Sequence, residues 1–322
     1  MCTAISFNVS HHLFSRTLDL ESSYGERVVC TPRRFQLKFR HEKPQIEHYS
    51  IIGVGQLVDN TPLYYDAFNE SGLAAAALNF PKNAVYFDKN PAFINVASYE
   101  LISFVLSRCA NLSEAVALLD RINITSDSFS DELTATPLHW IFADKSGAIT
   151  VESVSGGLKI YENRLGVITN SPEFSYHLLH TSDFMSLDSS QPKNKISPTV
   201  NLSYYSGGLG ALGLPGDFSS ASRFIRAVFL KNHSVCDDIS HAFHIMDSLS
   251  VPKGAVIRED NKPFMTVYTS VADTVGRVYY FTTAQSRRIR AVLMSEALMN
   301  SDAISVFEMN EEEKIFYINK GY

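Results

Sequence analysis

The sequence predicts an α+β protein in which antiparallel strands pack against helices. Strand-like runs in the first 80 residues are separated only by short turns, which suits hairpins rather than βαβ crossovers. Helical periodicity then appears twice, each time as a pair of helices, and divides the β-rich parts into three. No internal repeat, low-complexity tract or linker interrupts residues 1–322, so they read as a single domain. This order suits layers. Two stacked antiparallel sheets between helical layers is one such form, and the pattern alone does not select it.

Taken in order, MCTAISFN alternates Cys2, Ala4 and Ser6 with Thr3, Ile5 and Phe7 at strand period, and FSRTLDLE (14–21) follows a turn around Ser10–His12. VVCTP, FQLKF, YSIIGVGQLV, LYYDAFN and GLAAAALNF continue as strands, broken by turn formers at Asp59-Asn60 and Glu70-Ser71-Gly72. Residues 97–121 turn helical. Leu101, Phe104, Val105 and Cys109 form a stripe, and Ser113 is the expected N-cap of EAVALLDRI. LHWIFAD, AITVESV, LKIYEN and GVITN return to strand, with residues 144–147 a hairpin turn. Ser171-Pro172 is expected to open a helix as N-cap and first-turn proline. Residues 183–217 read as a long loop, and loops of that length are commonly functional. Ala221, Phe224, Ile225, Val228 and Phe229 mark one helix face, residues 235–249 a further helix, and VYYFTTA and IRAVLM the closing strands.

Composition narrows the function. Charged residues are 19% of the chain, below the usual quarter, which points to a large interior or to subunit interfaces. Net charge is −6, and the one basic cluster, Arg287, Arg288 and Arg290, is expected at an exposed strand end, so nucleic-acid binding is disfavoured. No apolar run approaches the roughly 18 residues of a membrane span, and no basic-then-apolar leader is visible. Cys2, Cys30, Cys109 and Cys236 lack paired spacing, which suits a reduced cytoplasm.

The chemistry centres on Cys2. Cysteine is small enough there for the initiator methionine to be trimmed, which leaves a thiol and a free α-amine on one residue. An unperturbed α-amine titrates at about 7.7–8.0 and a thiol at about 8.5, so near neutral pH the first can take the proton of the second. The same position also reads as an ordinary small apolar strand residue. Arg16 and Asp19 offer a cation and a carboxylate on one strand. They equally suit a surface ion pair, and regular alternation sends them to opposite faces unless a bulge intervenes. Asn79 and Asn170 each end an apolar strand, as turn residues or as amide donors into a cleft. His177 with His180, and His241 with His244, have i, i+3 spacing but no obvious third ligand, so no metal is expected. GLGALG (208–213) precedes a proline and does not follow a strand, unlike a dinucleotide fingerprint.

MCTAISF, RTLDLE, IIGVG, YYDAFNESGLAAAALNFP, PLHWIFADKSG, GVITNSPEF, GALGLPGD and SSASRFIRA, in that order, resemble the choloylglycine hydrolase family. These are cysteine N-terminal nucleophile amidases and include conjugated bile acid hydrolases and penicillin V acylases. The resemblance runs nearly from end to end and implies the N-terminal nucleophile hydrolase fold, a four-layer αββα arrangement. It implies Cys2 as nucleophile with its own amine as base, Arg16 beside the thiol, and Asp19 holding the amine. Asn79 and Asn170 would form the oxyanion hole, and Arg223 would complete the polar network. Helical projection alone places Arg223 opposite the apolar stripe, facing solvent. The resemblance further implies a homotetramer, a conjugated bile acid as small-molecule substrate, and no metal or organic cofactor. Asn79 and the DLE at 19–21 lean toward bile salt hydrolysis rather than penicillin V, while Ser206-Gly207-Gly208 lies in a loop that biases such enzymes between glycine and taurine conjugates. An apolar cleft is expected from loops around 20–24, 57–64 and 127–138. The alternatives are a penicillin V or N-acyl homoserine lactone acylase, and a catalytically silent steroid- or lipid-binding protein on the same scaffold.

Overall fold

A strand that covers a core on one side alternates buried and exposed residues. The first strand of this protein does not. In a computed structural model describing residues 1–8, 11–235 and 238–319, six of its seven residues are buried. Cys2 and Ala4 enter one apolar cluster and Ile5 and Phe7 another, so this strand has protein on both faces. Ser10 and Cys236 lie outside the described residues.

The strands are β1 (Cys2–Asn8), β2 (His12–Leu20), β3 (Arg27–Thr31), β4 (Ile51–Val58), β5 (Thr61–Asn69), β6 (Ala74–Asn79), β7 (Ile94–Ala97) and β8 (Ile122–Thr125). They continue as β9 (Leu138–Asp144), β10 (Gly147–Val154), β11 (Gly157–Glu162), β12 (Val167–Ile168), β13 (Val256–Ile257), β14 (Pro263–Asp273), β15 (Val278–Thr283), β16 (Ser286–Leu293) and β17 (Ser305–Glu308). The helices are α1 (Leu101–Leu106), α2 (Leu112–Leu119), α3 (Phe174–Thr181), α4 (Ser220–His233), α5 (Ile239–Asp247) and α6 (Glu296–Met299).

Two antiparallel sheets form. The first runs β12-β1-β2-β14-β15-β16, with β13 on β14; the second runs β11-β10-β9-β6-β5-β4-β3-β17. One core joins them face to face: Ala4, Phe14 and Leu18 of the first sheet meet Val54, Phe68 and Ile141 of the second. The outer face of the second sheet packs on α1 and α2 through Leu101, Phe104 and Val105, and that of the first on α4 and α5 through Phe224, Phe243 and Met246. The layers are therefore αββα, the stacked form that pattern alone left open. Among the described residues no helix is long and apolar enough to cross a membrane.

Two pairing irregularities shape the interior. Between β4 and β5, Val54 faces Asp66 and Gly55 faces Tyr64, so Tyr65 is an extra residue, a bulge. Tyr64 packs in the outer core while Tyr65 packs against the inter-sheet core, so the bulge turns Tyr65 and Asp66 to the same side. The glycines of IIGVG permit this approach: a Cβ at Gly55 would lie 2.3 Å from the Leu63 carbonyl oxygen, and one at Gly53 2.0 Å from that of Asp66. Likewise Asp19 faces Thr266 and Leu18 faces Tyr268, which makes Val267 the extra residue in β14.

Several local expectations are corrected. FQLKF yields an isolated Leu37–Gln45 bridge in place of a strand, because Leu37 is buried and Phe39 packs edge-on to Phe104, anchoring a loop. The 97–121 segment splits into two short helices, and Asn111 rather than Ser113 caps the second, its side chain accepting from Glu114 N. The helix after Pro172 begins at Phe174. Ser171 Oγ donates to Pro81 O (2.7 Å) instead of capping, and Glu152 Oε1 accepts from Phe174 N (2.9 Å). The parallel β7–β8 pair and the short α6 and β17 carried no sequence signal long enough to read. Of the expected exposed cluster, Arg287 and Arg288 are exposed on edge strand β16, where their charge discourages edge-to-edge pairing, whereas Arg290 is half-buried and pairs with Glu311.

Candidate active site around Cys2

Cys2 opens β1 opposite Leu18 and is 1% exposed. Its sulfur lies on the inter-sheet face, where Arg16 Nη2 donates to Sγ at 3.5 Å. Its backbone N donates to Asn170 Oδ1 at 2.8 Å, and its carbonyl accepts from Arg223 Nη1. The thiol, nitrogen and carbonyl of this one residue are thus each held by a different side chain.

Arg16 and Asp19 do lie on opposite faces of β2, and no bulge in β2 reconciles them. The two meet different neighbours. Arg16 reaches the sulfur on the inner face. Asp19 sits in register with residue 1: Met1 and Asp19 exchange backbone hydrogen bonds, both at 2.9 Å. Asp19 Oδ1 accepts from Thr266 Oγ1 (2.6 Å), which the bulge at Val267 turns toward it, while Oδ2 is buried with no hydrogen-bond partner among the described residues. Burial pushes the Asp19 carboxyl above its ordinary range, against the opposing pull of Arg223, the terminal amine and Thr266. For Arg16, burial alone would lower the guanidinium, but Tyr268, Cys2 and Asp66 outweigh it and leave its pKa raised.

Asn170 follows β12. Its Oδ1 accepts from both Cys2 N and Arg223 Nη2 (2.7 Å), and its Nδ2 donates one hydrogen to the Asn79 carbonyl (2.7 Å). His177 fixes the same residue from behind, with Nε2 donating to the Asn170 carbonyl at 2.9 Å. Arg223 is 0% exposed, so helical projection misplaced it. Every residue of α4 from Ser222 to Ala227 is buried, and the long Arg223 side chain reaches Cys2 and Thr3 of β1 rather than water. There Nη1 also donates to Thr3 Oγ1 (2.6 Å) and Nε to Phe218 O (3.0 Å).

A cavity of about 400 Å³ opens onto Cys2. Cys2, Arg16 and Asn79 are on its wall, whereas Asp19, Asn170 and Arg223 stand behind Cys2 and are not among the lining residues. The three loops expected to form a cleft line it, through Leu20 and Tyr24, Leu63 and Tyr64, and Phe129 and Leu133. A larger depression of about 620 Å³, between α5 and the outer face of β14–β16, does not include Cys2. Among the described residues no group of three or more His, Cys, Asp or Glu is arranged to hold a metal. His177 is bonded to Asn170 and stacked on Phe224, and His180 pairs with Asp183.

Comparison with known proteins agrees with this geometry. Residues 2–307 match the family of linear amide C–N hydrolases, choloylglycine hydrolase family. The chain belongs to the choloylglycine hydrolase family. A bile salt hydrolase/transferase of Lactiplantibacillus plantarum is 38% identical, the match covering 99% of this chain and all of the relative. A conjugated bile acid hydrolase of Lactobacillus gasseri is 32% identical over 95% of this chain and all of the relative. The crystal structure of the C2A mutant conjugated bile acid hydrolase from Clostridium perfringens superposes with a TM-score of 0.92 at 29% identity, covering 99% of this chain and all of that one. A penicillin V acylase from Agrobacterium tumefaciens shares the fold at a TM-score of 0.74 and 22% identity, covering 95% of this chain and 90% of that one. The protein is therefore an enzyme of the linear amide C–N hydrolase class.

This choloylglycine hydrolase also contains polar residues near Cys2 that sequence reasoning passed over. Asp66, Tyr268, Ser270 and Tyr279 cluster behind Arg16, and Tyr65, Tyr99 and Arg258 join the cavity wall. The available signal was a single aspartate inside the apolar run LYYDAF.

Proposed function

We propose that this enzyme hydrolyses the amide bond of glycine- or taurine-conjugated bile acids through a thioester on Cys2, with residues 1–322 acting as one domain once Met1 has been removed. The observation that carries the reading is a thiol on the wall of a cavity of about 400 Å³, with a guanidinium 3.5 Å from its sulfur, in a chain of this family. A volume of this order suits a drug-sized apolar ligand. The buried Asp19 Oδ2, which has no hydrogen-bond partner among the described residues, supports the role of a free amine, since a primary amine on Cys2 carries more hydrogens than a peptide N–H.

The reaction then runs as acyl transfer. The α-amine takes the thiol proton while Sγ bonds to the amide carbon, and Arg16 places positive charge beside the developing thiolate. Negative charge gathers on the former carbonyl oxygen. Asn79 on the cavity wall is its donor, in a role worth roughly 2.7–4 kcal/mol in comparable sites, and Asn170 supports the hole from behind by holding the Asn79 carbonyl. Arg223 and Asn170 hold Cys2 by its carbonyl and nitrogen, which keeps the nucleophile oriented. Collapse expels glycine or taurine with the proton from the amine, and water, activated by the same amine, cleaves the thioester. No step requires a metal or an organic cofactor.

A homotetramer and a cytoplasmic location belong to the same reading. The 183–217 loop exposes Met185, Ile196, Tyr205 and Leu212, each more than three-quarters accessible, an apolar surface that subunit contacts would cover. Cys2, Cys30 and Cys109 are free and buried, as a reduced compartment allows.

The test compares hydrolysis of glycocholate, taurocholate and penicillin V by the purified enzyme, its intact mass measured to confirm loss of Met1, with Cys2→Ser as the reference. Faster turnover of either bile conjugate, and loss of most activity in Cys2→Ser, are expected. Preference for penicillin V would replace the substrate, and near-normal turnover by Cys2→Ser would remove the nucleophile.

A further inference from the structure

The layer between the two sheets is mostly apolar, with a few buried polar groups among its side chains. Asp66, 2% exposed, projects from β5 into it and accepts hydrogen bonds from four donors, all on the first sheet. Arg16 Nη1 (3.4 Å) and Tyr268 Oη reach Oδ1, while Ser270 Oγ (3.1 Å) and Tyr279 Oη (2.5 Å) reach Oδ2. The bulge at Tyr65 gives Asp66 this direction, and Gly55 leaves room for the bulge.

A buried ion pair is weak support for stability, since apolar residues of similar volume often do as well or better. Arg16 supplies another reason for its presence. Nη2 faces Cys2 Sγ at 3.5 Å, Nη1 faces Asp66 and Tyr268 (3.3 Å), and Nε has no partner among the described residues. The guanidinium carbon also lies 5.9 Å from the centres of the Tyr65 and Tyr268 rings, but among the described residues, apart from the sulfur itself, the guanidinium is hydrogen-bonded at a single corner. A planar fork with Nη1 fixed has the direction of Nη2 fixed as well. Released from that anchor, the long side chain could swing its charge away from the thiol.

We propose that Asp66, clamped by Tyr268, Ser270 and Tyr279, is the positioning residue that holds the Arg16 guanidinium against the Cys2 sulfur. The assignment rests on the reading of Cys2 as nucleophile. Asp66 touches neither sulfur nor substrate and acts through Arg16, so its loss should slow chemistry without weakening binding, and should change how readily the thiol ionises.

The experiment measures steady-state turnover of a conjugated bile acid and the pH dependence of Cys2 alkylation by iodoacetamide, read by peptide mass spectrometry. Wild type is compared with Asp66→Ala, Asp66→Asn and Tyr279→Phe. Asp66→Ala should lower kcat by about tenfold or more, the scale of one hydrogen bond to a charged group, with KM within about twofold. Its alkylation profile should move to higher pH. Asp66→Asn keeps an acceptor oxygen for Nη1 and should recover most of the loss. Tyr279→Phe removes one of the three clamps and should lower kcat about fivefold with a smaller shift of the profile in the same direction. A folded Asp66→Ala with the wild-type alkylation profile would overturn the proposal, as would Asp66→Asn being no better than Asp66→Ala. Should Asp66→Ala fail to fold, an unmoved profile in Tyr279→Phe does the same. Wild-type enzyme that still turns over after Cys2 is alkylated would sink the nucleophile reading alone, since the profile reports on Arg16 whether or not turnover depends on the thiol.

Discussion

Acidification should destabilise this protein through two buried histidines. His12 lies between Ser6 Oγ (3.0 Å) and Thr274 Oγ1 (2.9 Å), and His177 donates to the Asn170 carbonyl while stacking on Phe224 at 4.8 Å. Both are 2% exposed. Burial holds each down to about 4, against an ordinary value of 6.5; Asp144 and Asp273 pull His12 the other way, as the hydrogen bond to Asn170 does for His177. In the unfolded chain both protonate near 6.5. Between about pH 6.5 and 4 the unfolded state therefore binds protons that the folded state refuses, and stability falls as pH falls. At pH 5 each histidine costs about 2 kcal/mol by this linkage, and near pH 4 about 3. Together they remove roughly 4 kcal/mol at pH 5, a large part of the 5–15 kcal/mol typical of a folded domain. Asp19, with its carboxyl raised, works in the opposite sense and returns some stability as it protonates. The assay is urea denaturation of wild type and His177→Gln at pH 7, 6 and 5. Gln can still donate to the Asn170 carbonyl but does not titrate, so the variant should lose about 2 kcal/mol less than wild type between pH 7 and pH 5. Parallel pH dependences in the two proteins would refute the assignment.

Two further substitutions probe the scaffold of the site. Gly55→Ala places a Cβ 2.3 Å from the Leu63 carbonyl oxygen and 2.9 Å from Tyr64 Cα, backbone atoms that cannot turn aside. It should cost about 1–3 kcal/mol in urea denaturation and lower kcat through the displaced bulge, and an unchanged midpoint would show that β4 and β5 have slack there. Arg223→Lys replaces a fork that reaches Cys2 O, Thr3 Oγ1 and Asn170 Oδ1 by a single point charge. Loss of two hydrogen bonds from a charged donor should lower kcat by about a hundredfold, and a kcat within about twofold of wild type would remove Arg223 from the machinery.

The parts of this fold that follow alternation were legible in the sequence, and so was Cys2, because its position carries chemistry that no other position has. Arg16 and Asp19 were legible as residues but not as geometry. Strand period placed them on opposite faces correctly; what it lacked was that one meets the Cys2 sulfur from the inner face and the other pairs with residue 1. Arg223 defeated the helical wheel for a related reason. A wheel assumes one wet face, and the first turns of α4 have none. The local misses share a different cause. Ser113 and Ser171 each suit an N-cap, yet Asn111 sits two residues earlier, and a Glu152 oxygen from β10 takes the Phe174 N–H that Ser171 was expected to serve. Capping by a partner 22 residues away leaves no local trace.

Asp66 illustrates the limit most clearly. An aspartate in LYYDAF reads either as an exposed residue on a half-wet strand or as a defect in a buried one, and both rest on a period of two. The bulge breaks that period at Tyr65, so the inner face receives two consecutive residues: one ring for the cavity wall and one carboxylate for Arg16. The bulge at Val267 does the reverse for Thr266, turning its hydroxyl outward to Asp19. Each irregularity delivers a polar group to one of the two charged residues flanking Cys2, on opposite sides of the same sheet. Regular pairing would leave Asp66 or Tyr65, and Thr266 or Val267, on the wrong face. Only an extra residue in a strand supplies both faces of a sheet with the residues a two-sided site requires, and an extra residue is what alternation in a single sequence conceals.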